Sequence, residues 1–573
     1  MQGQKRYIRE GNGKMLYSEQ LNGEFWSSVK SNAAYKDAID ILKQHYTKGT
    51  KEPLTVLRFS ARFRYYRDGE RADFEKPFFR RRRFLSAAAL LALIYPENDV
   101  YLRTAEDLIW AICDEYCWAV AAHASGKLDD DNTMIDLFTA ETAAALAEIT
   151  AFLENRLDGA TVCRVKAELN RRVFEPFRNR RFGWEKSSNN WSAVCAGGVG
   201  IALMYCAPES AEEFLPRLIS SVNCCLDSYT NDGTCLEGFT YWNYGYGYFV
   251  YFADMLYRFT NGKTDMFDDA RAQKTASYPQ RCLLKGDTVV SFADAGQNAK
   301  AQSELIYYLH GRYPETAALL PEDRIKFPEL NCRWCSYLRY FAWVNPEIKA
   351  DTEPVGTYLL PDAGQYITTR KTYSFAVKAG NNDEPHNHND IGEFIISSAR
   401  GQELCDLGAG FYNKDYFNEH RYEVFCNSSF SHSVPIINGR GQAAGKKFHG
   451  TLKQQDDTVL LEIGAAYDIE GVSFSREFTL ADNTVTLTDS FSGNIESVTE
   501  RFVSEIKPTV EADRVKLGLC TLHFEAGKVK PLITEHEHRL HSFEMGGVAE
   551  TVYCIDFDIS AECGSAKFSF EIV

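Results

Sequence analysis

The feature that most constrains this chain is a change of hydrophobic period at about residue 355. Before it, good helix formers recur at three- and four-residue spacing, as in residues 34–46, 105–122, 135–153, 211–226 and 248–258. Turn signals such as Pro96-Glu97-Asn98-Asp99 and Asn231-Asp232-Gly233 separate them. After it the period falls to two, as in residues 366–370, 373–378, 393–397, 459–463 and 474–480, and Leu480-Ala481-Asp482-Asn483-Thr484-Val485 reads as a hairpin turn. Helices first and strands after predict an α+β multidomain chain: a helical (α/α) domain over residues 1–350, then an antiparallel β-sandwich over 351–573, with the boundary near 346–354. Many antiparallel helices over this length fit a toroid or solenoid, although no crisp internal repeat is present.

The chain of 573 residues is too long for one ordinary core. Its net charge of −16 argues against general nucleic-acid binding. Arginines nevertheless cluster, in Arg80-Arg81-Arg82-Arg83 and in Arg171, Arg172, Arg178, Arg180 and Arg181, and two readings stand: a focused anion site, or salt-bridged helix faces. The start, Met1-Gln2-Gly3-Gln4-Lys5-Arg6, has no apolar h-region, so the expectation is a cytoplasmic protein, or a periplasmic or secreted one if a signal has been removed. The longest apolar run, 84–95, is too short to span a bilayer, and no membrane partner is expected. The cysteines are scattered, and Cys332-Arg333-Trp334-Cys335 is a lone CxxC; free buried thiols are the simplest account.

Three constellations carry chemistry. The first is Glu384-Pro385-His386-Asn387-His388-Asn389-Asp390, with Asp406 and His432 downstream. His386 and His388 are two apart, so on a strand both rings share a face. Two His and one Asp make a common ligand set for zinc or a similar divalent ion. One His would then face substrate while the others hold the metal; the alternative is a hydrogen-bonded His network. The second is Asn189-Asn190-Trp191 before Gly197-Gly198-Val199-Gly200. Its amides can donate to a carboxylate and its Trp can stack on a sugar, or the segment is a helix cap followed by close helix packing. The third is the aromatic run from Tyr241 to Tyr248, where an accessible Tyr can act as general acid or base. A further pair, His536 and His538, sits in a charged stretch ending at His541 and is expected at the surface.

At these constellations the sequence resembles the heparinase II/III-like polysaccharide lyases. The carrying residues are Pro385-His386-Asn387-His388-Asn389-Asp390-Ile391-Gly392, Asp406-Leu407-Gly408, Arg421-Tyr422 and His432 with Pro435-Ile436-Ile437-Asn438-Gly439. In the helical half they are Asn189-Asn190-Trp191, Glu237-Gly238, Tyr241-Trp242-Asn243-Tyr244, residues 136–142 and the 115–123 segment with Trp118 and His123. The resemblance implies an incomplete (α/α) toroid joined to a β-sandwich, and β-elimination on uronate-containing glycans. It implies that Asn190 contacts the uronate carboxylate, that Tyr244 or else Tyr241 transfers the proton, and that His386 is the partner acid/base or carboxylate neutraliser. It implies a metal held by His388, Asp406 and His432 in a supporting role. Asn189, Trp191, Glu237, Trp242, Trp118 and His123 are the expected substrate contacts, on an anionic oligo- or polysaccharide. Some relatives carry His beside the Asn, where this chain has Asn189-Asn190. Two other classes stay open: a glycoside hydrolase using carboxylates such as Asp136, Glu141 and Glu237, and a non-catalytic glycan binder with a structural metal.

Overall fold

The computed structural model describes Tyr17 and residues 22–328, 333–350, 356–525, 529–540 and 549–573. The N-terminal hexapeptide, Cys332, His541 and much of the expected boundary lie outside them. The chain forms two compact units, one of Met1–Ser228, Asn243–Gln273 and Ala301–Asp351, the other of Tyr229–Trp242, Lys274–Lys300 and Thr352–Val573.

The first unit is helical. Its central helix, Asn190–Cys206, is apolar all round and packs against the helices Leu137–Leu153, Pro208–Leu226 and Gly247–Phe259. A helix with no polar stripe has to sit inside a bundle. Asn189 caps it, its side chain accepting from the Trp191 amide at 3.1 Å. A Cβ at Gly198 would lie 2.6 Å from the Ala140 carbonyl oxygen, so that glycine sets the close approach of two helices. The apolar run at 84–95 is buried in the helix Ala72–Ile94, and no described helix is long and apolar enough to cross a membrane. The arginine clusters are largely salt-bridged: Arg81 and Arg82 both reach Glu115 at 2.8 Å, Arg80 pairs with Glu52, Arg172 with Glu168 and Arg180 with Asp130.

The second unit is β. A five-stranded antiparallel sheet spans Thr357–Leu404, a nine-stranded sheet runs from Gly380 to Ile572, and a four-stranded sheet includes Ser497–Ser504 and Ala549–Ser560. Period-two burial is clean: in Ser473–Leu480, Phe474, Arg476, Phe478 and Leu480 point inward. The core is aromatic, with the Phe394 ring 5.0 Å from Phe478 and 5.6 Å from Phe570. The fold class expected from the period change, helices followed by antiparallel sheets, is what the chain adopts. Two early segments nevertheless belong to the β unit. Residues 274–300 lie against the strand Gly401–Leu404, where Gln402 Nε2 donates to the Val289 carbonyl at 2.9 Å, and Ser291 Oγ donates to the Asp406 carbonyl at 2.9 Å. The described cysteines are free thiols, most of them buried.

In the helical unit Glu304 is fully buried, with hydrogen bonds from Ser336 and from Tyr251 at 2.8 Å. Burial pushes its carboxyl up to about 7. A raised folded-state value means that the protonated form is favoured in the fold, so its stabilisation is complete below the unfolded value near 4.5 and is lost as pH rises through about 7. Glu304→Gln is expected to flatten this dependence, which amounts to on the order of 3 kcal/mol. Denaturant unfolding at about pH 5 and about pH 8 checks it; parallel curves for wild type and variant would refute it.

Candidate active site and metal centre

The β unit brings a dense set of polar side chains around one carboxylate, Asp294, which is 2% exposed. One oxygen, Oδ1, faces His388 Nε2 at 3.0 Å and accepts from the Tyr416 hydroxyl at 2.5 Å. The other, Oδ2, faces His386 Nδ1 at 2.5 Å and accepts from the Tyr412 hydroxyl at 3.0 Å. Arg421 stands 3.7 Å from Oδ2. Burial opposes the charge, yet the hydrogen bonds from both histidines and the charges of His386 and Arg421 hold Asp294 well below the usual carboxylate range. Burial beside this anion pushes the Tyr412 and Tyr416 phenols well above their ordinary value, so both remain neutral donors.

Local backbone geometry serves this contact. Ala293 and His386 both adopt positive φ, 59° and 58°, a region that non-glycine residues occupy at a cost of about 1–3 kcal/mol. Two motif glycines close on the same segment. Gly408 has φ +60°, and a Cβ there would sit 1.7 Å from the Ala295 carbonyl oxygen. Gly238 has φ +95°, with the Phe292 carbonyl 2.8 Å from any Cβ. Glu237-Gly238 and Asp406-Leu407-Gly408 therefore need glycine to pack around residues 292–295.

His386 is the partly exposed member, at 16%. With Nδ1 toward Asp294, its Nε2 stands 3.5 Å from Glu237. The Tyr241 ring stacks on it at 4.0 Å, and the Tyr241 hydroxyl is 3.0 Å from that of Tyr412. A continuous path thus runs from Tyr241 through Tyr412 to Asp294 and back to His386.

Behind them, His388, Asp390, Asp406 and His432 are fully buried, with one ligand atom from each lying within 4.8 Å of the others. His388 Nδ1, His432 Nδ1, Asp390 Oδ2 and Asp406 Oδ2 have no hydrogen-bond partner among the described residues. His432 Nε2 lies 3.0 Å from the Cys426 carbonyl, as His388 Nε2 lies beside Asp294. Protons on the two Nε2 atoms turn both Nδ1 lone pairs inward, the arrangement that metal-binding imidazoles need. The donor set therefore fits a divalent metal. Lys378 balances Asp390 from its other oxygen at 2.7 Å. Glu393 Oε2 is 3.3 Å from His432 Nδ1, and burial raises the Glu393 carboxyl to about 7. The expected ligands His388, Asp406 and His432 are thus together; Asp390, quoted in the motif but not as a ligand, joins them.

Other expected site residues are spread more widely. Trp242 is fully buried, its indole donating to the Thr275 carbonyl at 2.8 Å, and Trp118 is buried, donating to the Ile112 carbonyl at 2.9 Å. Tyr244 belongs to the helical unit, under the Arg333 guanidinium at 4.1 Å. In the same unit Asn190 opens its helix, and His123 meets the Trp191 ring edge-on at 4.7 Å while bonding Asp136 at 2.9 Å. Sequence reasoning missed Asp294, Tyr412, Tyr416 and Glu393. The expectation of a surface pair at His536 and His538 is corrected: both lie on the strand Leu532–Arg539, His536 stacks on Phe425 at 4.8 Å, and His538 is 3% exposed. Burial and the neighbouring His388 hold the His538 imidazole down at about 4.

Residues 354–560 match the family model described as heparinase II/III-like, C-terminal. Over those residues the chain is similar to the C-terminal domain of that family. No curated protein matches the chain in sequence. Among solved structures, one of heparinase III shares 12% identity and a TM-score of 0.62, over 97% of this chain and 93% of that one. A mutant heparan sulfate lyase from Pedobacter heparinus shares 12% identity and a TM-score of 0.58, over 96% and 90%. The Streptomyces coelicolor A3 chondroitin AC lyase, in complex with chondroitin sulphate, shares 10% and 0.55, over 96% and 82%. At such identities the likeness concerns the fold, and the expected toroid-plus-sandwich class is the one shared with these structures. Within the matched residues lie His386, His388, Asp390, Asp406 and His432; Asp294 and Tyr241 come to them from earlier in the chain.

Replacing His388 removes a ligand and a hydrogen bond to Asp294. His388→Ala is expected to weaken zinc binding by about 100-fold or more and to lower the melting temperature in zinc-containing buffer. Zinc titration and thermal unfolding read both; unchanged zinc affinity would remove His388 from the metal centre.

Proposed function

We propose that the protein is a polysaccharide lyase that cleaves uronate-containing glycans, of the glycosaminoglycan class, by β-elimination. The observation that carries this reading is the stack of Tyr241 on His386, with Asp294 bonded to the imidazole from behind. The solved neighbours support it, since they are a heparinase III, a heparan sulfate lyase and a chondroitin AC lyase.

The proposed chemistry follows from the acid–base inventory. Elimination removes the proton at C5 of the uronate, forms the C4–C5 double bond and expels the 4-linked oxygen. With its Nδ1 proton held by Asp294, His386 presents Nε2 as the acceptor for the C5 proton. The Tyr241 phenol protonates the leaving oxygen; Tyr412, whose single proton goes to Asp294, accepts from the Tyr241 hydroxyl and so fixes its position before the transfer. Asp294 keeps its charge throughout and stabilises the imidazolium. A divalent metal, zinc by its His and Asp donors, would supply rigidity, fixing the His388 ring that braces Asp294 rather than activating water. Of the two tyrosines named from the sequence, Tyr241 takes the catalytic role in this reading because it shares a unit with His386. In the helical unit, Asn189, Asn190, Trp191 and His123 are proposed as sugar contacts. We place the domain boundary near residue 350, with the early segments 229–242 and 274–300 completing the β unit.

A hydrolase on the same scaffold needs two carboxylates committed to acid and base work. Asp136 is instead committed to capping its helix, accepting from the Thr139 amide at 2.7 Å, and to His123, while Glu141 pairs with Arg333 at 3.3 Å.

The test is ultraviolet absorbance during incubation with heparan sulfate, chondroitin, hyaluronan and alginate, because only elimination creates the absorbing unsaturated uronate. Wild type is expected to raise absorbance on at least one glycan. Tyr241→Phe is expected to lose about 100-fold to 10,000-fold in kcat with an unchanged circular dichroism spectrum. Chain cleavage without absorbance would identify a hydrolase, and full activity of Tyr241→Phe would move the acid elsewhere.

A further inference from the structure

Arg476 sits at the centre of the sandwich and is fully buried among Phe394, Phe478 and other rings. Its strand neighbours on the inward face are Phe474, Phe478 and Leu480. Asp489 stands directly across from it in register, and Glu500 reaches it from the four-stranded sheet. Three ionisable groups in an aromatic core are costly, and a packed apolar trio of similar volume would serve stability as well or better. The question is what the guanidinium does that a methionine would not.

All of its nitrogens are engaged. Nε lies 3.1 Å from both Asp489 oxygens, while Nη2 donates to Asp489 at 3.0 Å and to Glu500 at 3.3 Å. The remaining nitrogen, Nη1, leaves the charge cluster. It donates to the Gly392 carbonyl at 3.0 Å and to the Ser433 carbonyl at 2.7 Å. Gly392 follows Asp390 by two residues, and Ser433 follows His432. Those two loops carry three of the four donors of the buried His/Asp cluster and meet at no other guanidinium among the described residues. Glu393 and Ser433 add one cross-link, the Ser433 amide donating to Glu393 at 2.5 Å. Gly392 itself has φ +93°, and its carbonyl is aimed inward at the arginine.

We propose that Arg476 is a positioning residue: its Nη1 fork joins the Asp390–Gly392 loop to the His432–Ser433 loop and so sets the spacing of the metal-binding donors. Its charge is balanced by Asp489, and that pair is the device that keeps a forked donor dry and rigid at the back of the site. The inference rests on the cluster being the support of the proposed elimination site, but its test needs no substrate.

Arg476→Met combined with Asp489→Leu removes the pair together; Glu500, whose carboxyl burial already pushes well above its usual range, stays behind as a neutral acid once the guanidinium is gone. The double variant is expected to fold with the wild-type circular dichroism spectrum and a melting temperature in zinc-free buffer at least equal to wild type. Its zinc affinity is expected to fall about 10- to 100-fold. Amide hydrogen exchange is expected to quicken at residues 388–393 and 429–434 and to stay unchanged in the strands Thr484–Ser492 and Ser565–Ile572. Arg476→Lys keeps the charge and loses the fork, and the same two losses are expected of it; it carries the test if the double variant does not fold. Folded variants with wild-type zinc affinity and wild-type exchange in both loops would overturn the proposal. A wild type without lyase activity would overturn the function proposed above and leave this result standing.

Discussion

The β unit is organised around one buried carboxylate. Asp294 has no solvent to neutralise it, so its charge survives only because four donors converge on its two oxygens. Each of those donors is thereby fixed. His386 is held in one orientation with its far nitrogen toward Glu237, His388 has its other nitrogen turned toward the buried His/Asp cluster, and two tyrosines are locked as neutral phenols. A single charge thus links the partly exposed His386 to His388 and, through it, to the buried donor set. The cost is visible in the backbone, where Ala293 and His386 both occupy the left-handed region.

Around this centre the sandwich supplies rigidity. Phenylalanines from several strands pack edge to face, and the one buried arginine among them spends its outer fork on the loops that carry His432 and Asp390. Glycines at 238 and 408 let the early segment approach within contact of the strand ends. These are constraints of space, and they explain the Glu-Gly and Asp-Leu-Gly motifs without reference to chemistry. In the proposed reading the chemistry begins where that packing stops, at the partly exposed His386 and Tyr241.

Much of this was legible in the residues. The change of period at about residue 355 separates helical from β regions because burial on one face leaves a period in any sequence. The His388, Asp406 and His432 set stood out because ligands cluster near short, polar loop motifs. Asp294 did not: it lies in Ser291-Phe292-Ala293-Asp294-Ala295, a stretch without periodicity or partner spacing, and only tertiary folding brings it to the histidines. The inward charges Arg476, Asp489 and Glu500 did leave a trace, since each interrupts an alternation of apolar residues, but a charge within a strand reads first as a solvent-facing position. His538 was misplaced for the same reason: charged neighbours on the outer face of its strand hid an inward imidazole. Trp118 and Trp242 show the converse, aromatic residues whose motif suggested sugar contact and whose rings are enclosed.

The most direct test of the account is Asp294→Asn, which keeps the shape and removes the charge. An amide keeps one acceptor oxygen and turns an NH2 toward the other pair of donors, so one histidine loses its acceptor and the other loses its charged partner. The account predicts a folded protein whose elimination rate on an accepted glycan and whose zinc affinity each fall by about 100-fold. If Asp294→Asn keeps wild-type turnover and wild-type zinc binding, the carboxylate does not couple the two sites and the account is wrong.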